Sequence, residues 1–115
     1  FKDPADPAWA NDAGFMAYKA WMEKNMPGEN IAEGFFTSGY IHAAAIEKTI
    51  EQAGDNLTRA NIMKQAASLD FANGMLLPGV RFKTTATDFF PIENKQLMRW
   101  DGKSWALFGD VLGPK

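Results

Sequence analysis

At 115 residues, with 46% hydrophobic, 13% aromatic and 23% charged side chains, the chain has material for one compact core and none for a second. A formal charge of -2 with the two signs interspersed leaves no basic stripe, so nucleic acid is not expected as a partner. The lack of cysteine excludes thiol catalysis, disulfides and thiolate metal sites, and no stretch reaches the roughly 18 apolar residues that span a bilayer.

The chain opens at Phe1 directly into a proline-containing turn, with neither an initiator Met nor a signal-peptide pattern, which points to a segment of a longer protein. Asp3-Pro4-Ala5-Asp6-Pro7 is a stiff lead-in, because each proline fixes its own φ and drives the preceding residue toward extended geometry. A first helix is expected between Ala8 and Met26, where Phe15, Tyr18, Trp21, Met22 and Met26 recur at helical spacing; Asn11 or Asp12 caps its regular part and Pro27-Gly28 stops it. A second helix is expected from Ile31 to Ala53, with Phe36, Tyr40, Ala43, Ile46, Ile50 and Ala53 as its buried stripe and Gly54 closing it. Gly34 and Gly39 weaken its first half, which therefore needs tertiary support.

The third helix starts at the cap Thr58, with Leu57 and Ile62 spaced as a hydrophobic staple, and ends near Leu69. From Asp70 to Pro91 the sequence favours extended loop with one short strand at Val80 to Phe82. Gln96 to Trp100 and Ser104 to Phe108 then flank Asp101-Gly102-Lys103, where Asp-Gly supplies the positive-φ residue of a β-hairpin.

Candidate chemistry is sparse. His42 is the sole histidine and has no cysteine or second histidine with which to make a metal set. Ser38 lies outside any G-x-S-x-G string, and no phosphate-cradling glycine motif occurs. Asp3, Asp6 and Asp12 sit where caps and turns need short acceptors, and Glu47 and Glu51 beside Lys48 read as a solvated helix face. Two of the four tryptophans, Trp9 and Trp21, belong to helical apolar spacing, and Trp100 and Trp105 to cross-strand packing in the hairpin. No catalytic residue, metal site or cofactor is expected.

Several strings in order carry a resemblance. They are Lys2-Asp3-Pro4-Ala5-Asp6-Pro7-Ala8-Trp9, Gly39-Tyr40 before an alanine-rich helix, and Gly54-Asp55-Asn56-Leu57-Thr58-Arg59-Ala60-Asn61-Ile62-Met63. Leu76-Leu77-Pro78-Gly79-Val80, Thr87-Asp88-Phe89-Phe90-Pro91-Ile92 and the hairpin from Leu97 to Trp105 continue the series. Together they resemble the C-terminal part of type I periplasmic solute-binding proteins of the branched-chain amino-acid ABC transporter family, the leucine/isoleucine/valine-binding type.

That resemblance implies an α/β fold of two lobes joined by three crossovers, and non-catalytic capture of an amino acid or an aromatic or aliphatic carboxylate by lobe closure in the periplasm, with delivery to an ABC permease. It makes residues 1-115 a single partial domain, in which 1-87 complete the first lobe and 88-115 form the last crossover and hairpin. Most ligand contacts of such a protein would lie in preceding segments. Those expected here are Phe36, Thr37, Ser38 and Tyr40 at the start of the second helix, where free amides and a partial positive charge suit an anionic group. The alternatives are a ligand sensor or small enzyme on the same scaffold, and a stand-alone helical interaction module. Helices shaped for strands that are mostly absent leave apolar surface uncovered, so self-association is also expected.

Overall fold

The computed structural model describes residues 1-102 and 105-113. A single 3-10 turn at Pro7–Trp9 leads into α1, Ala13–Asn25, followed by α2, Gly34–Ala53, and α3, Arg59–Ala66. Two short strands, β1 at Asp70–Phe71 and β2 at Phe82–Lys83, pair antiparallel, and β3, Lys95–Trp100, pairs antiparallel with β4, Trp105–Leu112. The described residues thus form a mixed helix-and-strand fold with two separate two-stranded sheets.

The N-terminal aspartates do the capping their spacing suggests. Asp3 and Asp6 accept the amides of Ala5 and Ala8, and Asp12 accepts that of Phe15, so α1 begins at Ala13 and not near Ala8. Asp12 has a second partner that sequence reasoning did not supply. Lys2 is buried, and its ammonium lies 2.5 Å from Asp12 Oδ1, donates to the Gly74 carbonyl at 2.7 Å and sits 5.1 Å from the centre of the Trp9 ring. The Lys2 amide adds a bond to the Met75 carbonyl at 2.8 Å. Lys2, and then the Phe15 amide, hold the Asp12 carboxyl below the usual aspartate range, because both favour its charged form.

This knot brings the segment around Gly74 against the first turn of α1. The adjoining core is built from Phe15, Tyr18 and Met22 of α1, Ile41 and Ala45 of α2, and Leu69, Met75, Leu76, Leu77, Val80 and Phe82 of the chain beyond α3. A tight turn buries Met75, Leu76 and Leu77 in succession, with Asn73 accepting the Met75 amide on its side chain and the Leu76 amide on its carbonyl. α3 stops at Ala66, earlier than expected. Ser68 takes the carbonyls of Lys64 and Gln65, while Thr84 donates to the Ala66 carbonyl at 2.6 Å and accepts the Leu69 amide, turning the chain into β1. The predicted strand at Val80 to Phe82 is accordingly displaced to β2, with Val80 still in the core.

α2 departs most from expectation. It buries Thr37, Ile41, Ala45, Thr49 and Ala53, whereas Ile46 and Ile50 of the predicted stripe are 63% and 50% exposed and Ala43 is also exposed. Two apolar stripes adjoin on this helix, and packing against α1 and the chain from Leu69 to Phe82 selects the one through Ile41. The other has Phe36 and Tyr40 half-buried against the core and is left open at Ala43, Ile46 and Ile50. The Leu57 side of the predicted staple is likewise exposed. In the hairpin Gly102 adopts φ 99° as the Asp-Gly turn requires, and Trp100 pairs with Trp105 with ring centres 5.4 Å apart; Lys103 and Ser104 lie outside the described residues.

The molecule is a slab of 50 × 40 × 20 Å with a radius of gyration of 15.8 Å, above the roughly 13 Å of a compact chain of this length. Such a thin body covers few side chains on both sides. Phe35, Ile46, Leu57, Phe89, Phe90, Leu97 and Trp100 all stand more than half exposed.

Gly14 provides a test of the packing. Helix propensity alone favours Gly14→Ala by about 1 kcal/mol. Here a Cβ would overlap the backbone of Gly74, an overlap that neither helix nor turn relieves without moving the Lys2 knot. The Gly14→Ala variant is therefore expected to melt below the parent in a thermal unfolding scan, and a higher midpoint would contradict the close packing.

Candidate functional site

The sequence-derived site lies at the N-terminal end of α2, whose cap, Glu33, makes no side-chain bond to the helix. The structure does not bring its four residues to one surface. Phe36 and Tyr40 share a face, as their spacing requires, and both are half-buried against the core. Tyr40 stands edge-on to Tyr18 and Trp21 of α1, with ring centres 5.2 and 5.6 Å apart. Thr37 is fully buried on the adjoining stripe. Ser38 turns away with His42.

Ser38 and His42 do not form a nucleophile and base. His42 Nδ1 lies 2.8 Å from the Ser38 carbonyl oxygen, which can only accept, so Nδ1 carries the hydrogen and is not available to take one from the hydroxyl 3.5 Å away. The His42 ring meets Phe82 edge-on, a packing role for one side of an otherwise exposed side chain. Glu47 and Glu51 are exposed as expected, and Lys48 pairs with Glu51 at 3.1 Å. Among the described residues no three acidic or histidine side chains converge as a metal set, and no helix is long and apolar enough to cross a membrane.

Thr37 has one unusual feature. Its hydroxyl is buried without a hydrogen-bond partner among the described residues, whereas Thr49, also buried and three turns along the same stripe, donates to the Ala45 carbonyl at 2.8 Å. An unpaired buried hydroxyl costs about 1-3 kcal/mol.

Several concavities border the described residues, and three of them bear on the site. A cleft of about 310 Å³ lies beside the start of α2, between the N-terminal segment and the hairpin; Trp9, Met98, Trp105 and Leu107 line it together with Asp3 and Asp6, and Ala32 and Gly34 border it from the helix side. A polar hollow of about 460 Å³ is bordered by Arg81, Lys83, Asp88 and Glu93. Arg81 there is already committed to the side chain and carbonyl of Asp70. An open apolar groove of about 360 Å³ runs past Ile46, Ala66, Phe82 and Phe89. The Trp9 and Trp105 walls of the first cleft were assigned to packing from sequence; only the fold reveals that residues 96 apart in the chain border one space.

No family model, no curated protein and no solved structure matches the chain.

The Thr37 hydroxyl gives a direct test of how this end of α2 is used. Thr37→Val keeps the shape and removes the unpaired polar group, so the variant is expected to gain about 1 kcal/mol in urea unfolding. An unchanged or lower midpoint would mean that the hydroxyl has a partner in solution.

Proposed function

We propose that the chain is the C-terminal part of the periplasmic substrate-binding component of an ABC importer for amino acids or similar small carboxylates. Its action is capture, by closure of two lobes around the ligand and delivery to the permease, with no bond made or broken. Of the four α2 residues expected to contact the ligand, Phe36 and Tyr40, which share a face, belong to the wall of the ligand cleft in the complete protein, where further chain supplies the main contacts; Thr37 is buried beneath them and Ser38 faces elsewhere.

Two things support this reading. One is the order of the strings from Lys2 to Trp105, which resembles the C-terminal part of that family. The other carries more physical weight: α2, 20 residues long, has two adjoining apolar stripes, one of which is uncovered at Ala43, Ile46 and Ile50 in a slab only 20 Å thick. A helix apolar over so much of its circumference belongs inside a larger layered domain, with a sheet against its second stripe.

The test uses the complete gene product, titrated calorimetrically with amino acids and small aromatic and aliphatic carboxylates. One of them is expected to bind saturably, and Tyr40→Ala to weaken it by roughly tenfold through loss of an aromatic contact, with the circular dichroism spectrum unchanged. Absence of binding by the complete product would remove the proposal, and unchanged affinity in the variant would remove Tyr40 from the site.

A further inference from the structure

We propose that the cleft between the N-terminal segment, the start of α2 and the β3–β4 hairpin binds an organic ammonium ion with an aromatic or aliphatic body. The inference uses none of the four α2 residues assigned above and stands apart from that reading. The cleft holds about 310 Å³, at the lower end of the range for small-molecule sites. It is lined by Trp9, Trp105, Met98 and Leu107 together with the acidic residues Asp3 and Asp6. Apolar and π surface beside unsated negative charge is the composition that organic ammonium ions select.

The carboxylates have capacity to spare. Asp3 and Asp6 each accept one backbone amide on Oδ1, both at 2.9 Å, and among the described residues neither has a partner on Oδ2. Neither is in an ion pair with a described residue, and Lys2, the nearest cation in sequence, is neutralised by Asp12. Trp9 already serves as a cation platform in this fold, since the Lys2 ammonium lies 5.1 Å from its ring centre. Phe1 also borders the cleft.

The sign of the site decides the ligand class. The α2 N-terminus reaches the cleft at Gly34 and brings about half a positive charge. Against it stand the full charges of Asp3 and Asp6, with Glu33 adjoining as the helix cap. The balance stays negative even with a charged Phe1 α-amino group counted beside the helix end, so a carboxylate or phosphate is repelled and an ammonium is drawn in.

The experiment is a titration of the chain with phenethylammonium chloride, followed by NMR of the tryptophan indole N–H groups. Saturable shifts are expected for Trp9 and Trp105 and none for Trp21, which packs against Tyr40. Hydrocinnamate, with the same body and a carboxylate head, should produce no saturable shift. The double variant Asp3→Asn, Asp6→Asn retains the Oδ1 acceptors of both turns and should weaken phenethylammonium by roughly tenfold. Circular dichroism checks that it folds; should it not, Trp105→Leu, on a half-exposed strand position, replaces it with the same expected loss. Absence of saturable shifts, equal binding of hydrocinnamate, or undiminished binding in the folded variant would each overturn the proposal.

Discussion

The Lys2 ammonium organises the N-terminal half of the molecule. It joins three pieces of chain distant in sequence: the lead-in segment, the first turn of α1 through Asp12, and the tight turn at Gly74. An ammonium taken this far out of water is costly unless its hydrogen-bonding capacity is met, and here a carboxylate, a carbonyl and an indole face meet it together. The consequence is geometric. With Gly74 drawn in, two glycines allow backbone to touch backbone, and Met75, Leu76 and Leu77 are delivered in succession to the core against α1 and α2.

What the knot does not do is close the molecule. The core lies to one side of α2, and beyond it the second stripe, the groove past Phe82 and the outer face of the hairpin carry Ile46, Ile50, Phe89, Leu97 and Phe108 in substantial exposure. Arg99 covers part of that hairpin face, its guanidinium 5.2 Å from the centre of the Phe108 ring. On the opposite face Met98, Trp105 and Leu107 border the cleft with the N-terminal segment. A two-stranded hairpin apolar on both faces needs neighbours on both, and a contiguous apolar surface of this kind marks a place where further polypeptide or a ligand sits.

How much of this was legible in the sequence follows from the range of the interactions. Local signals read through well: the Asp12 and Thr58 caps, the Pro-Gly stop after α1, the Asp-Gly hairpin turn and the Trp100–Trp105 pair each depend on residues a few positions apart. The stripe on α2 did not, because two stripes of similar apolar content adjoin and only the partner element chooses between them. The Lys2–Asp12 pair was illegible because a lysine beside prolines reads as solvated, and its burial depends on a carbonyl 72 residues away. Of the candidate site, the shared face of Phe36 and Tyr40 was legible; the unpaired Thr37 hydroxyl and the tryptophan-walled cleft were not, since both arise from tertiary placement.

The open part of α2, at Ala43, Ile46 and Ile50, is apolar surface suited to another polypeptide, and sedimentation velocity over a concentration series of the 115-residue chain shows whether it pairs. Reversible association is expected, weakening when Ile46 and Ile50 are both replaced by lysine, with helix content retained. A chain that stays monomeric at every concentration and binds no apolar dye would contradict it.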